Sequence, residues 1–158
     1  MPRLLIVRHA KAATARPGGG DHSRPLAPAG LAQLPDLAAA VVARLDSARL
    51  DLVLCSTAAR ARETVAGVIQ AEPQLATARV KVKRALYLAD VDELLNLVRR
   101  VPDDVDNAMI CGHNPGLHEL ALTLLGDAAG EQVRQGLPTA GLAVVDLTQS
   151  WASIGDES

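Results

Sequence analysis

With 158 residues the chain has the length of one domain, large enough to bury roughly 70% of the surface its unfolded form exposes. A net charge of -2, with Lys and Arg dispersed and only one Tyr, one Trp and no Phe, excludes the basic, aromatic-studded face of a nucleic-acid binder. The first seven residues hold one Arg and an apolar run too short for a signal peptide or a membrane span, so no membrane and a cytoplasmic location are expected.

Leu4-Leu5-Ile6-Val7 reads as a buried strand that ends at Arg8-His9-Ala10-Lys11. Residues 14–23 form a loop with Pro17 and three glycines; no Gly-Lys-Ser/Thr follows, so it is a linker and not a phosphate loop. Residues 28–45 carry Leu31, Leu34, Ala38, Val41, Val42 and Leu45 at helical spacing, with Pro35 predicting a kink or two helices. A second buried strand covers residues 51–55. Ser56 or Thr57 is expected to cap a helix running to about Ala71.

Residues 79–86 alternate as a partly exposed third strand. Asp90 and Glu93 have the spacing of a capping box, and Val91, Leu94, Leu95, Val98 and Val101 form the stripe of the helix behind it. Residues 108–111 make a fourth strand, after which Asn114 is expected to cap a helix with Pro115 at its first position and Gly126 at its end. Residues 141–147 give a fifth strand, and about 150–158 a loose polar tail. Cys55 and Cys111 each end a strand and read as buried free thiols rather than a disulfide. Alternating strands and helices imply an α/β three-layer sandwich: one domain, residues 1–158, with a mostly parallel central sheet flanked by helices.

Ligands of open α/β sheets bind beyond the carboxyl ends of the strands. Three of those ends carry polar groups: Arg8-His9, then Ser56 to Arg60, then Gly112-His113-Asn114. In parallel strands they converge. Arg8 and Arg60 offer guanidinium forks that suit phosphate oxygens. A histidine kept neutral by neighbouring cations can attack phosphorus, and a second histidine can donate to its oxygens. Singly, an Arg-His pair is a polar loop and Arg60 a surface charge; the conjunction carries the inference. His22 and His118 read as ordinary exposed residues.

These residues resemble the histidine phosphatase superfamily. Arg8-His9-Ala10 is similar to its Arg-His-Gly signature, residues 56–64 to its Ser-Pro-Leu-x-Arg-Ala-x-x-Thr motif, and Gly112-His113 to its late histidine motif. Ala10 and Thr57 stand where the motifs have Gly and Pro. The short length, Ser23-Arg24-Pro25-Leu26 and Pro138-Thr139-Ala140-Gly141 point to the SixA-like phosphohistidine phosphatases. The resemblance implies a phosphoglycerate mutase-like fold, a phospho-His9 intermediate, Arg8, Arg60 and His113 around the phosphate, Arg24 as a further contact, and no metal or cofactor. It implies a substrate that is a phosphohistidine-bearing protein or a small phosphoester. It leaves the acid for the leaving group open between Asp21 and Asp90, and it leaves the oligomeric state unassigned.

Competing readings are weaker. A cysteine phosphatase loop needs Arg six positions after Cys, but that position after Cys55 is Ala61. His113 and His118 are five apart, which does not place two zinc ligands on one helical face. A catalytically silent phosphate- or phosphoprotein-binding module of the same fold, and a mutase acting on a sugar phosphate, remain as alternatives to hydrolysis.

Overall fold

A computed structural model describes residues 1–155. Its sheet has five strands: β1 (Arg3–Arg8), β2 (Leu52–Ser56), β3 (Arg79–Lys83), β4 (Asn107–Gly112) and β5 (Leu142–Asp146), in the order β3-β2-β4-β1-β5. All neighbours are parallel except β5, which runs antiparallel to β1. The helices are α1 (Pro28–Leu45), α2 (Ala59–Ala71), α3 (Val91–Arg99), α4 (Gly116–Leu125) and the short α5 (Glu131–Gln135).

Strand periodicity sorts the core into two layers. Leu5 and Val7 of β1, with Val53 and Cys55 of β2, pack against Leu34, Ala38 and Val41 of α1 and Val65 and Val68 of α2. Leu4, Ile6, Leu52 and Leu54 point the other way, onto Leu94 and Val98 of α3 and Leu117 and Leu120 of α4. Both faces are covered, so the central strands read as continuous apolar runs. The three-layer α/β sandwich follows.

Several local expectations change. Helix α1 is one continuous helix, because Pro35 lies on its exposed face where the carbonyl of exposed Leu31 can be hydrated. Neither Ser56 nor Thr57 caps α2 by its side chain; Ala58 stands at the cap and Ser56 Oγ accepts the Ala58 N–H at 3.2 Å. Strand β3 stops at Lys83, five residues long and exposed throughout, and residues 84–86 turn inward as a 3₁₀ segment that buries Leu86. Asn114 does not cap α4, where Pro115 takes the cap position; its amide donates to Leu137 O at 2.7 Å. Gly126 does end α4, at φ 52°. The capping box at Asp90 forms as expected. The C-terminal segment is not a loose tail as far as residue 155: Trp151 and Ile154 are buried under α3, and Trp151 Nε1–H donates to Val105 O at 2.8 Å. Residues 156–158 of that expectation lie outside the described residues.

Gly30, in the first turn of α1, has the Lys11 carbonyl where a Cβ would sit. That carbonyl is held by Ala27 N–H at 2.9 Å. Gly→Ala inside a helix ordinarily gains up to about 1 kcal/mol, but overpacking costs about 1–3 kcal/mol. Gly30→Ala is therefore expected to lower the urea midpoint with an unchanged slope; an equal or higher midpoint would show that the loop after β1 yields freely.

Candidate active site

Because β1, β4 and β2 are parallel neighbours, their carboxyl ends meet at one edge. Arg8 of β1 lies in register with Gly112 of β4, so His9 and His113 emerge side by side, ring centroids 5.4 Å apart. Arg60, in the first turn of α2, enters from below and is only 4% exposed, so it is no surface charge. A pocket of about 290 Å³ is lined by Arg8, His9, Lys11, Arg24, Arg60 and His113, with Ala12, Leu88, Asn114 and Thr139 completing the wall. No carboxylate among the described residues lines it. A larger cavity, about 680 Å³, lies beyond Asn114, but its walls hold no Lys or Arg.

The tautomer of His9 is fixed from both sides. Its Nδ1–H donates to Ala10 O at 2.6 Å, and its Nε2 accepts from Arg60 Nε at 3.3 Å. The lone pair is thus on Nε2, on a ring that is buried. Burial first, then the charges of Arg60, Arg8 and Arg24, lower its pKa to about 4 against the pull of the Ala10 contact. His113 is lowered to about 3, again by burial first and then by Arg60 and His9. Both rings are neutral at pH 7.

His113 Nε2 meets Ser56 Oγ at 2.7 Å. Among the described residues that hydroxyl also accepts from Ala58 N–H, and of its two partners only the ring nitrogen can take its proton, which fits a His113 ring protonated on Nδ1. His113 Nδ1 and Arg8 Nε are buried and have no hydrogen-bond partner among the described residues. Two such donors on residues of one pocket fit oxyanion oxygens, since a buried unpaired donor costs about 1–3 kcal/mol.

Ala10 is not among the residues with left-handed backbone, so Gly is not required there. Its N–H donates to Thr64 Oγ1 at 3.0 Å, and that hydroxyl donates to Arg60 O at 2.7 Å. The last residue of the Ser56–Thr64 motif therefore ties the loop after His9 to the helix that carries Arg60.

Arg24 also reaches the pocket, anchored by Nε to Ala13 O at 2.9 Å. Asp21 sits outside it as a bracket. Its carboxylate accepts from Arg60 Nη2 and Arg24 Nη1, each at 3.1 Å, and from the Tyr87 hydroxyl, while its carbonyl accepts Arg60 Nη1 at 2.8 Å. The Tyr87 bond first, then Arg24 and Arg60, hold its pKa well below the usual carboxylate range. A carboxylate so held carries no proton to give at neutral pH. Asp90, the other candidate acid, is spent in the α3 capping box. Both carboxylates are engaged by other groups in this arrangement. His22 is exposed but not isolated, its Nε2 2.8 Å from Thr57 Oγ1 and its ring edge-on to Tyr87. His118 is half-buried against Val133 O. Sequence reasoning missed the Asp21–Tyr87 bracket and Lys11, whose side chains carry no motif that announces them.

The two neutral histidines make stability depend on pH. In the unfolded chain each protonates near 6.5; in the folded protein they resist until about 4 and about 3. The unfolded state thus binds more protons below pH 6.5, and stability falls as pH falls, with a slope of up to about 1.4 kcal/mol per pH unit for each histidine. Urea midpoints between pH 7 and pH 4.5 are expected to show this slope, reduced in His113→Asn; an unchanged slope would remove His113 from the account.

The fold and the site together define a histidine phosphatase. A profile of the histidine phosphatase superfamily (branch 1) matches residues 4–86, and the chain belongs to that family. It is a phosphatase of that superfamily with the phosphoglycerate mutase-like fold, SixA-like in structure. It is similar to a crystal structure provisionally assigned as the phosphohistidine phosphatase SixA of Agrobacterium tumefaciens, at 34% identity, TM-score 0.80 and 91% coverage of both chains. A second, from Nakamurella multipartitia with the same provisional assignment, is 32% identical over 98% of this chain and 89% of that one, TM-score 0.76. An uncharacterized Mycobacterium tuberculosis (H37Rv) protein is 35% identical, covering 94% of this chain and 91% of its own length. No helix among the described residues is long and apolar enough to cross a membrane.

Proposed function

We propose that the chain is a metal-independent phosphohistidine phosphatase that acts on phosphoproteins through a phospho-His9 intermediate. His9 Nε2 attacks phosphorus in line with the departing nitrogen. The Nε2–P bond forms as the P–N bond to the substrate imidazole breaks, and that imidazole leaves with the proton it already carries. Water then cleaves phospho-His9, releasing inorganic phosphate and the free ring. Arg8, Arg60 and His113 stabilise charge on the equatorial oxygens, and Arg24 holds the phosphate from the loop side.

The observation that carries this reading is a neutral His9 with its lone pair on Nε2, ringed by guanidinium groups in a pocket without a carboxylic acid. Phosphohistidine suits that pocket, because its leaving group needs no strong enzymic acid once protonated. Unactivated phosphoesters need one. A location in the cytoplasm, where such phosphoproteins occur, is part of the proposal, as is a single domain spanning residues 1–158.

The test is phosphate release from a phosphohistidine protein and from an aryl phosphate, with chelator present, and a search for enzyme-bound phosphate after quenching in alkaline detergent. An acid-labile, base-stable phosphoenzyme and chelator-resistant turnover are expected. Activity abolished by chelator would overturn the mechanism. Asp21→Asn is expected to raise KM for both substrates by a similar factor, through looser Arg60 and Arg24. Selective loss of ester hydrolysis would instead return Asp21 to the acid role.

A further inference from the structure

Strand β3 is an edge of the sheet, and it is an unusual one. All five of its residues are exposed. Five large apolar side chains are exposed among the described residues, and three of them fall within residues 80–88: Val80 at 42%, Val82 at 48% and Leu88 at 58%. Between and beside them stand Arg79, Lys81, Lys83 and Arg84. No ion pair involves any of these four cations among the described residues.

Register sorts the two kinds of side chain. Arg79, Lys81 and Lys83 pair with Leu52, Leu54 and Ser56 and share the α3 face, roughly 7 Å apart along the strand. Val80 and Val82 pair with Val53 and Cys55 and face the α1–α2 side. The outer edge of β3 has no strand partner. Cations on an edge guard against aggregation, but exposed valines between them work against that purpose.

The strip also leads to the chemistry. Lys83 is the register partner of Ser56, whose hydroxyl holds His113. Beyond Arg84, the chain runs through Tyr87 of the Asp21 bracket to Leu88, whose side chain lines the pocket from a left-handed backbone at φ 54°. From Arg79 to Leu88 the basic, apolar strip is continuous with the pocket mouth.

We propose that this edge docks the protein substrate, taking an acidic extended segment that flanks the phosphorylated residue. Acidic side chains of the segment meet Lys81 and Lys83, its apolar side chains cover Val80 and Val82, and its backbone adds to the free edge of β3. Charge complementarity selects the occupant: four unpaired cations on a chain of net charge -2. The proposal rests on the phosphoprotein reading above.

Two synthetic phosphohistidine peptides test it, identical except that Glu or Lys flanks the phosphorylated residue. The wild type is expected to favour the Glu peptide by about tenfold in kcat/KM, mainly through KM, with the preference shrinking as salt rises. Lys81→Glu/Lys83→Glu is expected to abolish or reverse that preference and to leave aryl phosphate turnover unchanged. Equal turnover of both peptides by the wild type, or a preference that survives the double charge reversal, would overturn the docking proposal alone. Turnover of aryl phosphate with neither peptide cleaved would overturn the phosphoprotein reading and the docking site with it.

Discussion

His9→Ala is expected to lower kcat/KM by roughly four powers of ten or more on every substrate, each power worth about 1.4 kcal/mol of barrier. The size of the effect follows from the role. In the proposed mechanism the ring supplies the atom that bonds to phosphorus, and the other histidine of the pocket is poorly placed to stand in: its ring centroid is 5.4 Å away and its Nε2 is engaged by Ser56. The variant should fold, because His9 sits at the end of β1 and, among the described residues, its side chain hydrogen-bonds only Ala10 O and Arg60. It should also still bind inorganic phosphate, since Arg8, Arg24, Arg60 and His113 remain. A folded, phosphate-binding, inactive variant without a phosphoenzyme is the expected result. Residual turnover within tenfold of wild type would remove His9 as the nucleophile and favour the silent binding module with an unrelated contaminating activity.

Arg60→Ala is the second large effect, expected at about 10²–10³-fold in kcat/KM from the loss of charge stabilisation. The same substitution carries a second signature. Arg60 donates to His9 Nε2 and supplies the largest of the cationic influences that keep the ring neutral. Without it, the His9 pKa moves back up, and the acid limb of the kcat/KM profile moves up with it. In the wild type that limb is expected near pH 4, where His9 protonates. Protonated His9 cannot attack, so the variant should lose activity first at the acid end. Arg60→Lys restores a charge but not the planar fork, and is expected to recover the limb more than the rate. An acid limb that stays in place in Arg60→Ala would show that burial, with Arg8 and Arg24, keeps His9 neutral without Arg60.

How far the sequence led depended on whether the signal was local. The strands at 4–7 and 52–55 and the helix Pro28–Leu45 are legible because two-sided burial and helical periodicity leave apolar runs that need no partner to be recognised. The convergence of His9, Arg60 and His113 is legible because parallel strands place their ends together. What failed was local chemistry that tertiary contacts redirect. Ser56 has the residue type of a helix cap, but its hydroxyl proton goes to His113, a partner 57 positions away. Asn114 likewise turns its amide to Leu137 O, and Trp151 pulls a polar-looking tail into the core. Asp21 reads as an acid from its position beside Arg24, and only its contact with Tyr87, 66 residues on, shows that it is a brace.

Cys55 and Cys111 face one another in register across β2 and β4, both buried. Burial pushes the Cys55 thiol up to about 12 and that of Cys111 well above its ordinary value. Neither offers a thiolate to peroxide or to an alkylating agent at neutral pH. Phosphatases that use a thiolate are switched off by oxidants at the very atom that performs the reaction. With an imidazole nitrogen as the proposed reacting atom and the sulfurs sealed in the sheet, turnover is expected to survive peroxide treatment that would silence a thiolate enzyme; loss of activity on such treatment would count against that expectation.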